Sequence, residues 1–148
     1  MTLPLIHSVA RLCIASPERA ISHLSTAAGM SRWCLGMFET RQLEPGLLAG
    51  RSLFNGAMVY SRLVCDESQL RVDYWVGSSL ESLVPWIHSQ VRPGAVLGYG
   101  VNQCLIVLSA FRPKTMSDGS WERVMRTHDT EIDLIAAQLE ADEAAVQA

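Results

Sequence analysis

The sequence has few of the features that mark nucleic-acid-binding, membrane-spanning or secreted proteins. Its 12 lysines and arginines form no basic block and the formal net charge is −3, which argues against a surface that follows phosphates. No uninterrupted apolar run approaches the ~20 residues of a transmembrane helix. The first 15 residues lack the basic start and continuous apolar stretch of a signal peptide. We therefore expect a cytoplasmic protein with no nucleic-acid partner and no membrane span.

The common catalytic and metal-binding signatures are also missing. The sequence contains no G-x-S-x-G, no Walker-type loop, no G-x-G-x-x-G and no H-E-x-x-H. Its four cysteines form no C-x-x-C pair, and its four histidines do not have the spacing of metal ligands. We therefore expect no metal and no cofactor, and we expect the cysteines to be buried thiols in a reducing compartment.

The composition is that of a folded protein with a substantial core. The chain has 148 residues, of which 49% are hydrophobic and 18% are charged. These values predict one domain over residues 1–148 with a frayed, alanine-rich tail at about 141–148.

A long amphipathic helix is predicted at the C-terminal end. Ser117 or Asp118 can cap its start. Its charged residues, among them Asp129, Glu131 and Asp133, are expected to form a solvated face. Its apolar face follows the 3.6-residue period and includes one histidine: Trp121, Val124, Met125, His128, Ile132, Ile135 and Leu139.

A strand and two short helices are predicted at the N-terminal end. Residues 5–15 alternate as a strand does. Ser16 and Pro17 suit the N-cap and first turn of a helix that ends near Gly29. A second short helix is expected around residues 30–33.

The middle of the chain has the turn spacing of an antiparallel meander. Asn55-Gly56 is its strongest hairpin signal, because both residues tolerate positive φ. Gly98-Tyr99-Gly100 indicates a bulge or bend within the last strand. The predicted strands cover residues 35–43, 51–54, 57–65, 70–76, 85–91 and 96–111.

This order of elements resembles the START-like superfamily, also called the Bet v 1-like, SRPBCC or polyketide cyclase/dehydrase and lipid transport group. The matching segments are residues 14–19 (Ile-Ala-Ser-Pro-Glu-Arg) leading into a helix, Trp33 before the second strand, and Val91-Arg92-Pro93 followed by Gly94 before the last strand. The resemblance implies an α+β helix-grip fold, in which a curved seven-stranded antiparallel sheet wraps around the C-terminal helix and encloses an apolar cavity. Members of this family bind lipids, sterols, polyketides or hormones, and some are cyclases or aromatases. The family has no universal catalytic residue.

Two residues are candidates for chemistry. His128 lies on the apolar helix face, where it either acts as an acid/base or ligand contact, or bonds a backbone carbonyl at the edge of the core. Tyr74 shares a strand face with Leu70, Val72 and Val76, so it either brings a hydroxyl into the cavity or is ordinary core.

Other residues are expected to contact a ligand or a partner. Ser89 either presents its hydroxyl to a ligand inside the cavity or has a structural role only. Trp121 either covers the cavity mouth or anchors the helix. Trp75 and Trp86 are predicted to share one side of the sheet, as an interface patch or packed under a loop. The complete set of predicted ligand contacts is Trp33, Tyr74, Ser89, Trp121, Met125, His128 and Ile132.

Three functions fit this interpretation. The first is binding of a small hydrophobic molecule such as a lipid, sterol or polyketide-like compound. The second is an enzyme of the cyclase, aromatase or dehydratase kind that uses the same cavity, for which the sequence offers no second acid/base group. The third is an interaction module with a vestigial cavity. The last strand is apolar on both faces, so its inward side is undetermined, and a second copy covering its outer face would give a homodimer.

Overall fold

The computed structural model describes residues 2–147 and has the predicted helix-grip architecture. The strands are β1 (Ile6–Cys13), β2 (Phe38–Glu44), β3 (Leu47–Arg51), β4 (Met58–Asp66), β5 (Arg71–Gly77), β6 (Val84–Pro93) and β7 (Cys104–Phe111). One antiparallel sheet contains all seven in the order β1-β7-β6-β5-β4-β3-β2. The helices are α1 (Pro17–Ser25), α2 (Ala27–Trp33) and α3 (Asp118–Gln147).

The boundary between the two short helices lies earlier in the chain than expected. We predicted a first helix that ends near Gly29, whereas α1 ends at Ser25 and α2 begins at Ala27. Thr26 has extended backbone and its hydroxyl accepts the Gly29 N–H at 3.1 Å, so Thr26 caps α2. The predicted cap of α1 is confirmed, since the Ser16 hydroxyl accepts the Arg19 N–H at 3.2 Å.

The last strand is shorter than predicted. We expected a strand over residues 96–111, but Gly94–Leu97 is a 3₁₀ turn and β7 begins at Cys104. Gly98 has φ +88°, a left-handed conformation that glycine adopts without strain and that ends the turn. The glycines expected to bend a strand therefore lie in the loop before it.

The structure shows which residues of β7 lie on the inward face of the sheet. In β7 the buried residues Cys104, Ile106 and Leu108 point towards the helices, while Phe111 faces outwards. Leu108 is paired with Ser89 of β6, and Ser89 is paired with Val72 of β5. The apolar side chains of this set belong to the core that also contains Leu24 of α1 and Ile132 of α3.

The start and end of α3 are held by polar contacts. The Ser117 hydroxyl accepts the Ser120 N–H at 3.2 Å and so caps the helix. The indole of Trp121 donates to the Pro4 carbonyl at 2.7 Å. Where we predicted fraying, the helix continues to Gln147, and Asp142 accepts two hydrogen bonds from Arg32. Ala148 lies outside the described residues.

No helix within residues 2–147 combines the length and the hydrophobicity needed to cross a bilayer.

Candidate functional site

A pocket of about 430 Å³ lies between the first half of α3 and strands β4–β6. This volume falls in the usual range for small-molecule sites, about 300–1,000 Å³. Apolar surface forms most of its lining, and α2 with the 3₁₀ turn at Leu35–Met37 closes one side. The helix contributes Ser120, Arg123, Val124, Thr127, His128 and Glu131.

The mouth of the pocket is formed by the β3–β4 turn and the start of α3. The Phe54 side chain is 48% exposed and lines the pocket beside Asn55. The Arg123 guanidinium carbon lies 5.2 Å from the centre of the Phe54 ring, a cation–π contact across the opening. Of the described residues that line the pocket, Arg123 is the only arginine or lysine.

Glu131 lies at the deep end, and its burial is the main disagreement with the sequence interpretation. It was expected on a solvated face with Asp129 and Asp133, but its residue surface is only 3% exposed. Its Oε2 accepts the Leu35 N–H at 2.8 Å, and the Cys34 thiol and the Gly36 amide also donate towards the carboxyl. Burial nevertheless raises the pKa of Glu131 to about 8, so the side chain is mostly uncharged at neutral pH.

The spacing along α3 contained the signal for Glu131. The residue lies three positions after His128 and four before Ile135, both of which are buried. Residues at this spacing share one helix face. The sequence interpretation gave more weight to the charge of Glu131 than to its position.

His128 stands beside Glu131 and is 5% exposed. Its Nε2 is 3.7 Å from Glu131 Oε1, which is too long for a direct hydrogen bond. Its Nδ1 is buried and has no hydrogen-bond partner among the described residues, so the expected backbone carbonyl is not there. Burial lowers the pKa of His128 to about 4, and the ring is neutral at pH 7.

Ser61 is a polar residue on the opposite wall that the sequence interpretation missed. It lies on β4 between the inward-facing Val59 and Leu63 and is 2% exposed. Its hydroxyl is also without a hydrogen-bond partner within residues 2–147. Strand alternation through Val59, Ser61 and Leu63 was the available signal.

Tyr74 lines the pocket, but its hydroxyl is already bonded. It donates to the Leu24 carbonyl at 2.6 Å and lies 2.9 Å from the Ser89 hydroxyl. Burial raises the pKa of the phenol far above its usual range. The hydroxyl of Tyr74 therefore links β5 to α1 and β6 by hydrogen bonds, and its proton is not available for transfer to a ligand.

The structure places the other predicted contacts in two groups. Trp33 lines the pocket, its indole donates to the His23 carbonyl at 2.8 Å, and its ring forms an edge-to-face pair with Tyr74. Ser89, Trp121, Met125 and Ile132 are not among the lining residues.

The two tryptophans of the β5–β6 region do not share a side as predicted. Trp75 is 38% exposed on the outer face, whereas Trp86 lines the pocket. A register shift between β5 and β6 places Val76 opposite Val84 although Tyr74 is opposite Ile87, and this shift redirects Trp86.

No cluster of three histidine, cysteine, aspartate or glutamate side chains suited to a metal ion occurs among the described residues.

Comparison with known proteins shows similarity of structure without similarity of sequence. No family model and no curated protein matches this chain. The solution structure of the Aha1 dimer from Colwellia psychrerythraea matches 93% of this chain and 97% of its own, with a TM-score of 0.68 and 16% identity.

Two aromatase/cyclases have the same fold. The Zhui aromatase/cyclase from a Streptomyces species matches 91% of this chain and 93% of its own, with a TM-score of 0.68 and 12% identity. The di-domain ARO/CYC protein BexL, from the BE-7585A biosynthetic pathway, matches 96% of this chain and 47% of its own, with a TM-score of 0.65 and 17% identity. At such low identity, these similarities show that the chain has the helix-grip fold that aromatase/cyclases also have.

Proposed function

We propose that this protein binds a small, mostly apolar molecule, of the lipid, sterol or polyketide-like kind, in the pocket between α3 and the sheet. The observation that carries the proposal is a pair of buried polar atoms, His128 Nδ1 and Ser61 Oγ, that have no hydrogen-bond partner within residues 2–147 and belong to residues on opposite walls of a mostly apolar pocket. Buried polar groups in folded proteins are nearly always hydrogen-bonded. A ligand with one or two polar groups on an apolar body matches these walls.

The first test is whether the pocket takes up an apolar compound. We expect a native mass spectrum of the purified protein to show a retained compound, and the neutral dye Nile red to bind with stoichiometry of about one. Val59→Trp fills the pocket from β4 and should abolish dye binding, whereas Val64→Trp adds the same side chain to the exposed face of that strand and should not. A wild-type protein that is empty and does not bind the dye would refute the proposal.

An enzyme of the cyclase, aromatase or dehydratase kind is the second candidate, and one observation favours it. The sequence offered no partner for His128, but the structure places Glu131 beside it, with 3.7 Å between Nε2 and Oε1. A carboxylic acid and a neutral imidazole are a proton donor and a proton acceptor at pH 7. Such a pair can remove a proton next to a carbonyl and protonate a departing hydroxyl.

Variants at His128 separate the enzyme from the binding protein. The assay follows loss of water from an aromatic β-hydroxy ketone, which gives a conjugated, absorbing enone. If the protein is an enzyme, His128→Ala should abolish turnover and leave Nile red binding intact. The absence of turnover by wild-type protein that binds the ketone would favour the binding function.

We also propose that the protein forms a homodimer through the outer face of β1 and β7. Ile6, Leu12 and Phe111 are exposed on this face. The structurally similar Colwellia protein is described as a dimer. Contact with a second copy would remove these side chains from water.

A further inference from the structure

We propose that the deep end of the pocket, at Glu131 and His128, receives an uncharged carbonyl or hydroxyl oxygen, so that the ligand enters with a neutral polar end and not with a carboxylate. This inference rests on the proposed binding function and names the chemical class of the ligand.

The two ends of the pocket differ in charge. Arg123 at the mouth and Glu131 at the deep end are eight residues apart on α3, about 12 Å at the rise of a helix. The mouth therefore has a solvated cation, and the deep end has a carboxyl group with no arginine or lysine in the described lining beside it. A ligand anion at the deep end would lose its hydration without gaining a counter-charge.

The groups around Glu131 are uncharged near neutral pH. His128 on the same helix has a lowered pKa, and burial raises the pKa of both the Cys34 thiol beside the 3₁₀ turn and the Tyr74 phenol on β5. Glu131 is itself mostly protonated. This end of the pocket therefore offers hydrogen-bond donors and acceptors without net charge.

The geometry suits one ligand oxygen. Because Glu131 Oε2 is held by the Leu35 N–H, the carboxyl has a fixed orientation with Oε1 towards His128. A carbonyl oxygen beside the pair would accept from the carboxylic acid, and a hydroxyl would in addition donate to the imidazole. Ser61 on the facing wall supplies a contact for a second polar group.

The test compares acetylnaphthalene, a neutral ketone, with naphthoate, an anion on the same ring system, by isothermal titration calorimetry at pH 7. We expect the ketone to bind at least about tenfold more tightly. Arg123→Gln removes the cation at the mouth, and in this variant the affinity for naphthoate should fall more than the affinity for the ketone.

The pH dependence identifies Glu131 as the group responsible. Affinity for the ketone should fall between pH 7 and pH 9 as Glu131 ionises, by about tenfold. Glu131→Gln keeps an amide donor in place and should bind the ketone with no such dependence. The exposed Glu140→Gln on the same helix is the matched control and should retain the wild-type profile.

Each outcome has one interpretation. Equal or tighter binding of naphthoate by the wild-type protein would overturn the inference and leave the proposed binding function standing. If neither probe binds to a protein that takes up Nile red, this inference fails alone, and if Nile red does not bind either, the proposed function fails with it. The wild-type comparison needs no variant, so it holds even if a substitution prevents folding.

Discussion

At the scale of single residues, the pocket is defined by polar side chains that lie where apolar ones usually pack. Glu131 and His128 are both buried, and burial favours the uncharged form of each. Their pKa values therefore move in opposite directions, so they affect the stability of the protein in different pH ranges.

We predict that stability falls as the pH rises from 6.5 to 8. Folded Glu131 keeps its proton up to about 8, whereas the unfolded carboxyl releases it near 4.5. The folded state thus holds the extra proton, and its advantage is lost as pH rises towards the folded pKa. At the lower end of this range and below it, the lowered pKa values of His23, His88 and His128 act in the opposite direction, since the unfolded state then binds more protons. Glu131 alone should remove about 2 kcal/mol between pH 6.5 and 8, and the histidines should offset part of this loss.

Urea denaturation at a series of pH values measures this loss. Glu131→Gln cannot ionise, so its unfolding free energy should not fall from pH 6.5 to 8 and should rise slightly as the effect of the histidines is lost. An unchanged slope in this variant would show that another group is responsible.

Tyr74 is predicted to matter for stability more than for ligand binding. Tyr74→Phe removes the hydrogen bonds to the Leu24 carbonyl and the Ser89 hydroxyl and leaves both groups buried. The expected cost is about 1–3 kcal/mol in chemical denaturation, with Nile red affinity within a few-fold of wild type. The exposed Tyr99→Phe is the control and should change stability little. A large loss of dye affinity with unchanged stability would contradict this role.

At the scale of elements, local signals predicted most of the strands and the starts of the helices. Ser16 and Ser117 cap their helices as predicted, because caps depend on neighbouring residues alone. Asn55-Gly56 lies between β3 and β4, but the predicted strand over residues 51–54 is wrong. The strand β3 covers Leu47–Arg51, residues 52–57 form a longer loop, and of the two turn residues only Gly56 has positive φ. The last strand was less well predicted. The apolar residues Val96, Leu97 and Val101 resemble a strand in composition but are exposed in the loop before β7.

The conformation of that loop leads to a prediction about Gly98. Gly98→Ala should destabilise the protein by about 1 kcal/mol, because φ there is +88° although a Cβ atom would meet no neighbour. Gly119→Ala, in the first turn of α3 and equally free of contacts, should raise stability by a few tenths of a kcal/mol up to about 1. Thermal melts of the two variants should therefore shift in opposite directions. A shift in the same direction would mean that the loop is not restrained as described.

At the scale of the whole molecule, the sequence predicted the sheet that wraps around α3 but only part of the pocket. Met125 and Ile132 were predicted to contact the ligand because they belong to the apolar face of the helix. In the structure the neighbouring flank, with Val124, Thr127 and Glu131, lines the pocket. The fully buried Ile132 and Ile135 belong to the close-packed core. Periodicity identifies the buried stripe of a helix, but it cannot show which flank borders a space that the sheet leaves open.

The outer face of the sheet gives a prediction about association. Wild-type protein should show a concentration-dependent dimer in sedimentation velocity experiments. Leu12→Glu should shift it to monomer, because a carboxylate would be buried without a partner at the interface. Val64→Glu, also exposed but on β4 away from β1 and β7, should still dimerise. A wild-type protein that stays monomeric at high concentration would rule out this interface.

The positions of the tryptophans allow ligand binding to be followed by the intrinsic fluorescence of the protein. Two of the four indoles, Trp33 and Trp86, line the pocket, while Trp121 is fully buried at the start of α3 and Trp75 lies on the outer face. An occupant of the pocket changes the surroundings of the first pair alone. Replacing Trp75 and Trp121 by phenylalanine would leave an emission spectrum that comes only from the pocket wall, so that unmodified, colourless compounds can be screened without a label.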